Sequence, residues 1–256
     1  MSALPTPNNS PAKIIITGGP NKGEYCIQHI YNHQIVLNNF EFDHGATGVV
    51  TVYVRPTNHV YSRALEVKDC EISLRKTGEL LLKYEHEEND PSKLKLKNGK
   101  PVISSDKRVF EINKYSSSHN IDGFIHHLQN FPNETVILAN QGDDKQCLSA
   151  LINFKHGSKD NYAAYIAIFK LHKLPKNSLS MVIETAFLVS ETDFRYENFI
   201  DSDNDKSKPL YVVLRNVLAR RKPFEGKAKK NSKKSFKRAK KAKKLAKLEA
   251  ETKKPS

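Results

Sequence analysis

The net charge of this chain is concentrated in residues 219–256, and this division limits what can fold. The whole chain has 42 Lys and Arg against 28 Asp and Glu, a net charge of +14. Residues 219–256 hold 17 of the basic residues and three of the acidic ones, so this segment alone accounts for +14. Such a charge density, with few large apolar side chains, cannot bury enough surface to offset the entropy of ordering. We therefore expect a tail that is disordered when unbound.

The rest of the chain divides into a short N-terminal segment and a globular body. Residues 1–12 are rich in Pro, Asn and Ser and show no hydrophobic periodicity, which predicts disorder. Residues 13–218 balance their charges and contain enough Ile, Leu, Val, Phe and Tyr for a real core. The polar stretch at 85–106 contains Asp90-Pro91 and Asn98-Gly99, which are turn signals. It predicts a surface loop or a seam within the body.

The pattern of apolar residues predicts an α+β fold with mainly antiparallel sheets and two helices. Runs of β-branched and aromatic residues, separated by turn residues, predict strands at 14–17, 25–30, 35–42, 49–54, 71–74, 80–83, 134–139, 147–154, 162–171 and 179–189. Helical spacing of apolar residues predicts one helix near 118–130 and another near 208–221. The Lys-rich tail follows the second helix.

The sequence favours a cytoplasmic protein. Its three cysteines, Cys26, Cys70 and Cys147, lie far apart, are odd in number and form no C-x-x-C pair. The first residues lack an apolar run of signal-peptide length, and the longest apolar stretch is far too short to span a membrane.

No motif predicts a metal or another cofactor. His29 and His33 have the spacing of paired ligands on a helix, but their segment has the pattern of strand, turn and strand. Asp201, Asp203 and Asp205 resemble the start of a calcium loop that lacks its glycine and its final acid. We therefore predict no metal and no cofactor.

The tail predicts binding to nucleic acid. Lysines that neutralise phosphates release counterions, so binding is independent of base sequence and weakens steeply with salt. A tail that only increases solubility is one alternative. A helix on a membrane surface is less favoured, because its apolar stripe would be mostly alanine. The predicted nucleic-acid contacts, to RNA or DNA, are Lys229, Lys230, Lys233, Lys234, Lys237, Arg238, Lys240, Lys241, Lys243 and Lys244.

A cluster of polar residues after the predicted strand at 49–54 offers a second hypothesis. Arg55, His59 and Arg63 would supply one imidazole for proton transfer and two guanidinium groups for phosphate, as a metal-independent ribonuclease requires. The protein could then be a ribonuclease-type toxin or another nuclease. The same residues could also form an exposed polar turn.

A third hypothesis is a protein-interaction module whose sheet edge binds a partner protein. The sequence does not decide whether the chain is an enzyme.

Three stretches of the body resemble segments of a known family. They are Val52–Pro56 with Asn58–Tyr61, the segment Ser180–Val189, and Tyr211–Leu218 leading to Lys222-Pro223. The family is a group of bacterial proteins, often encoded near mobile elements, that carry the label "stationary phase growth adaptation protein". The resemblance implies a bacterial, cytosolic protein built as one module, and it implies no particular activity. The Lys-rich tail extends beyond the usual end of this family.

Overall fold

The elements of the fold are seen in a computed structural model that describes residues 13–84, 96–98, 100–101, 103–139, 147–153, 163–200 and 207–224. The strands are β1 (Lys13–Ile16), β2 (Gly23–Cys26), β3 (His33–Glu41), β4 (Thr47–Pro56), β5 (Ser62–Ala64), β6 (Leu80–Tyr84), β7 (Leu96–Lys97), β8 (Lys100–Pro101), β9 (Ile103–Phe110), β10 (Val136–Ala139), β11 (Leu148–Asn153), β12 (Ala164–Leu174), β13 (Ser178–Val189) and β14 (Ser207–Pro209). The helices are α1 (Glu71–Thr77), α2 (Ile112–Ser118), α3 (Ile121–Asn130), α4 (Phe194–Ile200) and α5 (Leu210–Leu218). Short 3₁₀ helices span Gln28–Ile30 and Asn58–Val60.

A curled seven-stranded sheet with the order β14-β10-β11-β12-β13-β4-β3 dominates the described residues. Its neighbouring strands are antiparallel except for β4 and β13, which run parallel. A three-stranded sheet has the order β5-β9-β6, and two hairpins pair β1 with β2 and β7 with β8. The parallel pair joins strands from distant parts of the chain, with Ser178 opposite Thr51.

The main core lies on one face of the seven-stranded sheet. Alternate residues of β4, namely Val50, Val52 and Val54, point into it, as do Tyr165 and Phe169 of β12. Helix α3 packs on β3, and α5 packs on β10 and β12. Each helix places apolar residues at three- and four-residue spacing on the buried side. Because β4 is buried on this side, its intervening residues project from the opposite face of the sheet.

The fold class predicted from the sequence is wrong. The protein is mixed α/β, with a parallel strand pair in its main sheet and with helices α1, α2 and α4 in addition to the two expected ones. The segment 71–74, predicted as a strand, begins helix α1. An ion pair between Glu71 and Arg75 (Oε1–NH2 3.1 Å) has the i, i+4 spacing that supports a helix. Gly78 ends this helix in the left-handed conformation, with φ of 80°.

The polypeptide after α5 stays attached to the body as far as Phe224, which packs against the core. Asn216 Nδ2 donates a hydrogen bond to the Pro223 carbonyl at 2.8 Å, and Arg221 NH2 donates one to Asn216 Oδ1 at 2.7 Å. Arg221 also forms an ion pair with Asp43. The compact unit therefore reaches Phe224. Residues 1–12, most of the seam near 85–106, and residues 225–256 of the tail lie outside the described residues.

Every helix among the described residues is too short or too polar to span a lipid bilayer.

Candidate functional site

The second face of the seven-stranded sheet carries a patch of polar side chains that converge from three neighbouring strands. On β13, Ser180 lies opposite Tyr53 of β4 on one side and opposite His172 of β12 on the other. Two residues further along β13, Val182 lies between Arg55 of β4 and Lys170 of β12. Residues directly opposite each other on neighbouring strands share a face of the sheet. We call these six residues the sheet-face trough.

The trough has short side chains along its floor and long ones along both walls. Its floor residues Ser180 and Val182 are fully buried, and its four wall residues are half-buried. Strands lie about 4.8 Å apart, so the backbones of the two walls are about 10 Å apart. The hydroxyl of Ser180 has no hydrogen-bond partner among the described residues. A buried hydroxyl without a partner carries a desolvation cost, and such groups are uncommon in folded proteins.

An ion pair and a fixed turn border one end of the trough. Lys170 Nζ lies 2.8 Å from Glu184 Oε1, and both side chains are largely buried. Thr57 binds the backbone of β13 twice: its N–H donates to the Ile183 carbonyl at 2.9 Å and its hydroxyl donates to the Glu184 carbonyl at 3.0 Å. The turn after β4 is therefore held against β13 beside the trough.

The other half of this face is apolar and is covered by helix α4. Tyr196 and Phe199 of α4 pack against Ala164, Ile166 and Val189 of the sheet. The change from apolar to polar coincides with a register shift between Ile168 and Phe169, directly before Lys170. Such bulges redirect side chains and are frequent near functional sites.

The three residues predicted to be catalytic lie on three different elements. Arg55 is on β4 and forms part of the trough. His59 is half-buried in the 3₁₀ helix that Thr57 caps, because the Thr57 hydroxyl accepts a hydrogen bond from the His59 N–H at 3.3 Å. Arg63 is on β5 in the three-stranded sheet. The ribonuclease hypothesis on these three residues stays a prediction.

Arg63 is engaged by a carboxylate. Its NH1 lies 2.6 Å from Asp69 Oδ2 and its NH2 lies 2.9 Å from Asp69 Oδ1, a bidentate arrangement. The hydrogen bond from Arg63, assisted by one from the Glu66 N–H, holds the pKa of Asp69 well below its usual range. Arg63 therefore closes the loop between β5 and α1 rather than projecting toward the trough.

The predicted contacts in the tail cannot be placed. All ten lie outside the described residues, namely Lys229, Lys230, Lys233, Lys234, Lys237, Arg238, Lys240, Lys241, Lys243 and Lys244.

Across the part of the chain that the structure does describe, no group of three or more His, Cys, Asp or Glu side chains could hold a metal ion.

A second polar cluster surrounds His29 at the junction of the first 3₁₀ helix with α2. The His29 ring stacks on His119 with a centroid distance of 3.8 Å, and its Nε2 lies 2.6 Å from Ser118 Oγ. His33 Nε2 donates a hydrogen bond to the His29 carbonyl at 2.6 Å. Burial and the neighbouring His119 lower the pKa of His29 to about 4. His29 is thus neutral in the folded protein at physiological pH.

This cluster should make the protein sensitive to acid. The unfolded chain protonates His29 near pH 6.5, whereas the folded chain resists protonation down to about pH 4. The contribution of neutral His29 to the free energy of unfolding is therefore fully present above pH 6.5. About 2 kcal/mol of this stability is lost as the pH falls toward 4, a figure reduced to allow for the partial exposure of the ring. The His29→Gln variant should show a shallower decline in urea midpoint between pH 7 and 4. Equal pH profiles for both proteins would contradict this prediction.

The sequence did not reveal the other five members of the trough as site residues. Lys170 and His172 alternate with Phe169 and Leu171 near the end of an apolar strand, which marks them as projecting from the opposite face. Their convergence with β4 depends on the parallel pairing of β4 with β13, and no local pattern encodes that pairing.

The described residues thus define a mixed α/β protein whose main sheet carries a core on one face and a polar trough on the other. The chain belongs to the YjaZ family, whose family model matches residues 14–218. No curated protein and no solved structure matches the chain. The family match says nothing about nucleic acid, and the resemblance to the "stationary phase growth adaptation protein" family stays a prediction.

Proposed function

We propose that this is a cytoplasmic bacterial protein that binds RNA or DNA without sequence preference through its basic tail. The observation that carries the proposal is the separation of charge along the chain. Residues 225–256 contain 14 basic residues and three acidic ones. Many phosphates can be neutralised by such a segment, and the release of their counterions supplies the free energy of binding.

The ion pairs of the body support assigning the affinity to the tail. Several cations of the described residues face carboxylates: Lys107 contacts Glu71 at 2.7 Å, and Lys170 contacts Glu184 at 2.8 Å. The guanidinium groups of Arg63 and Arg221 bind Asp69 and Asp43. Because these positive charges are matched within the body, its surface should contribute little to a long-range attraction for polyanions.

The cellular location is supported by the cysteines and by the resemblance to bacterial, cytosolic proteins. Cys26, Cys70 and Cys147 are all free thiols. Free thiols, two of them exposed, are ordinary in a reducing compartment.

The proposal is tested by measuring the affinity of the full chain for random RNA and random DNA of equal length across a salt series. If six or more phosphates are neutralised, the dissociation constant should rise at least about a thousandfold between about 50 and 200 mM salt. Base composition should have little effect. Binding that is insensitive to salt, or no binding at about 50 mM salt, would refute the proposal. Vesicles of anionic phospholipid serve as a control, since tighter binding to them would indicate a membrane partner.

A further inference from the structure

We propose that a cavity beside the turn between β12 and β13 is a phosphate-binding site, which holds the backbone of the nucleic acid that the tail captures. This inference rests on the proposed function, because the tail supplies the nucleic acid. The cavity itself is built from residues of the body. It has a volume of about 580 Å³ and is partly open to solvent. The residues that line it are Lys173, Leu174, Pro175, Lys176, Asn177 and Arg220.

The lining of the cavity is cationic. Three of its residues carry a positive charge, and none of the lining residues is an acid. Lys173, Lys176 and Arg220 are all exposed, and none of them forms an ion pair with a carboxylate among the described residues. They differ in this respect from Arg63 and Arg221, whose guanidinium groups bind carboxylates. An anion in the cavity would reduce the mutual repulsion of the three positive charges.

Arg220 occupies a backbone position that favours glycine. It follows α5 in the left-handed conformation, with φ of 58°. The Arg220 N–H donates to the Val217 carbonyl at 2.9 Å, and the Arg221 N–H donates to the Asn216 carbonyl at 2.8 Å. These two hydrogen bonds form a Schellman motif, in which the left-handed residue is usually glycine. The backbone geometry therefore disfavours the arginine that is present.

Lys176 departs from local preference in the same way. In the turn at 175–177, Lys176 and Asn177 both have φ of 55°. Asparagine tolerates this conformation, whereas lysine and arginine adopt it only at a conformational cost. Lys176 and Arg220 thus both bring a long cationic side chain to one cavity from a strained backbone position. Departures from local preference are expected at functional sites.

The end of α5 offers a competing explanation for part of this charge. Lys173 Nζ donates a hydrogen bond to the Leu218 carbonyl, and its ammonium group keeps two further N–H donors. Positive charge at a helix C-terminus is stabilising, so Lys173 and, in part, Arg220 have a structural reason to be cationic. Lys176 lies in a turn between strands and has no such reason. On this explanation, removing the charges would lower the stability of the protein.

The phosphate of a nucleic-acid backbone is the anion that the rest of the chain favours. Residue 225, where the basic tail begins, follows Arg220 by five residues in the sequence. Nucleic acid that the tail has bound is held on the same polypeptide, which raises its effective concentration for a second contact. Cations that contact phosphates fix the position of a strand without reading its bases. The cavity would therefore give a defined position to a strand that the tail alone holds diffusely.

The test uses the full-length protein and random single-stranded RNA. The double variant Lys176→Asn/Arg220→Gly removes two cations and places residues that tolerate the left-handed conformation at both positions. Its Kd at about 50 mM salt should rise at least about tenfold, and the slope of log Kd against log salt should fall by about 1.4, because each lost phosphate contact contributes about 0.7. Its melting temperature should stay unchanged or rise, because backbone strain is relieved.

A matched double variant separates phosphate contact from a general loss of charge. Lys22→Gln combined with Lys76→Gln also removes two exposed cations, which lie before β2 and in α1. Its Kd should stay within about threefold of the parent, because charges that do not touch phosphate act only through a screened potential. Equal losses of affinity in the two double variants would overturn the proposal. So would a lowered melting temperature with a parental Kd in the cavity variant, since the cations would then serve only the end of α5.

Backbone amide NMR signals of the full-length protein locate the contact. On addition of RNA, the signals of Lys176, Asn177 and Arg220 should shift together with those of the tail. Inorganic phosphate at the same phosphate concentration should leave the cavity signals in place, because it lacks the tether to the tail. Equal shifts with inorganic phosphate would overturn nucleic acid as the ligand of the cavity. Shifts confined to the tail would overturn the cavity assignment alone, whereas shifts at the cavity with a salt-insensitive Kd would overturn the function proposed for the tail.

Discussion

Removal of residues 225–256 is expected to lower the affinity for RNA at about 50 mM salt by at least about a thousandfold. The deletion removes 14 basic and three acidic residues, so the net charge falls by 11, from +14 to +3. Ending the chain after Phe224 preserves the contacts of Phe224 with the core and of Pro223 with Asn216. The body should therefore remain folded, with an unchanged urea midpoint. Its residual binding should depend only weakly on salt, as measured by fluorescence anisotropy.

Two full-length variants serve as controls for the deletion. Replacing the ten predicted contact residues of the tail by Gln keeps its length but should reproduce the loss of affinity. Shuffling the order of residues within the tail should preserve affinity, because counterion release depends on charge rather than sequence. If the truncated protein binds as tightly as the parent, the nucleic-acid surface lies on the body and the tail serves only solubility.

Replacement of Gly78 by Ala should destabilise the protein by about 3 kcal/mol. Gly78 ends α1 with φ of 80°, a conformation that residues with a β-carbon adopt only at a cost. A β-carbon there would also lie 2.6 Å from the backbone carbonyl oxygen of Ile15 in β1. Neither the strand nor the helix end can move freely, because the Thr17 N–H donates to the Thr77 carbonyl at 2.8 Å. The loss should appear as a melting temperature lower by about 6–12 °C.

Two other glycines distinguish the causes of this effect. Gly45 has φ of 83°, but a β-carbon added there would meet no atom within 4 Å, so Gly45→Ala should cost only about 1 kcal/mol. Gly123 lies inside α3 with no atom near an added β-carbon, so Gly123→Ala should stabilise the protein by about 0.5–1 kcal/mol. Equal effects at Gly78 and Gly45 would show that the close approach to Ile15 is unimportant.

Local patterns predicted the elements whose amphipathic period is strong. The helix expected near 208–221 corresponds to α5, in which Leu210, Val213 and Leu214 are buried. Helix α1 at 71–77 was predicted as a strand because Ile72 and Leu74 alternate with polar residues, as in a strand. No residue of this helix is buried. Helix α4 also buries no residue completely, although Tyr196 and Phe199 pack against the sheet. Short helices of this kind are fixed by their caps and neighbours, which a periodicity search does not detect.

The candidate site shows the same limit more clearly. Arg55 could be selected from its neighbours in the sequence, because a histidine and another arginine follow it closely. His172 could not be linked to Arg55, because their strands are connected only through β13. Residues that meet through long-range pairing leave no signature in spacing, whereas residues grouped along the chain, such as Arg63, can be held apart by their own ion pairs.

The parallel contact between β4 and β13 also constrains how the protein is made. A ribosome delivers β4 long before β13, so β4 must wait with one edge unpaired until Ser178–Ile183 have left the exit tunnel. Closing a loop of this length slows folding, since its entropy is lost before the contact forms. We therefore expect nascent chains halted before residue 178 to remain protease-sensitive and to depend on chaperones, and full-length chains to acquire resistance in a single late step.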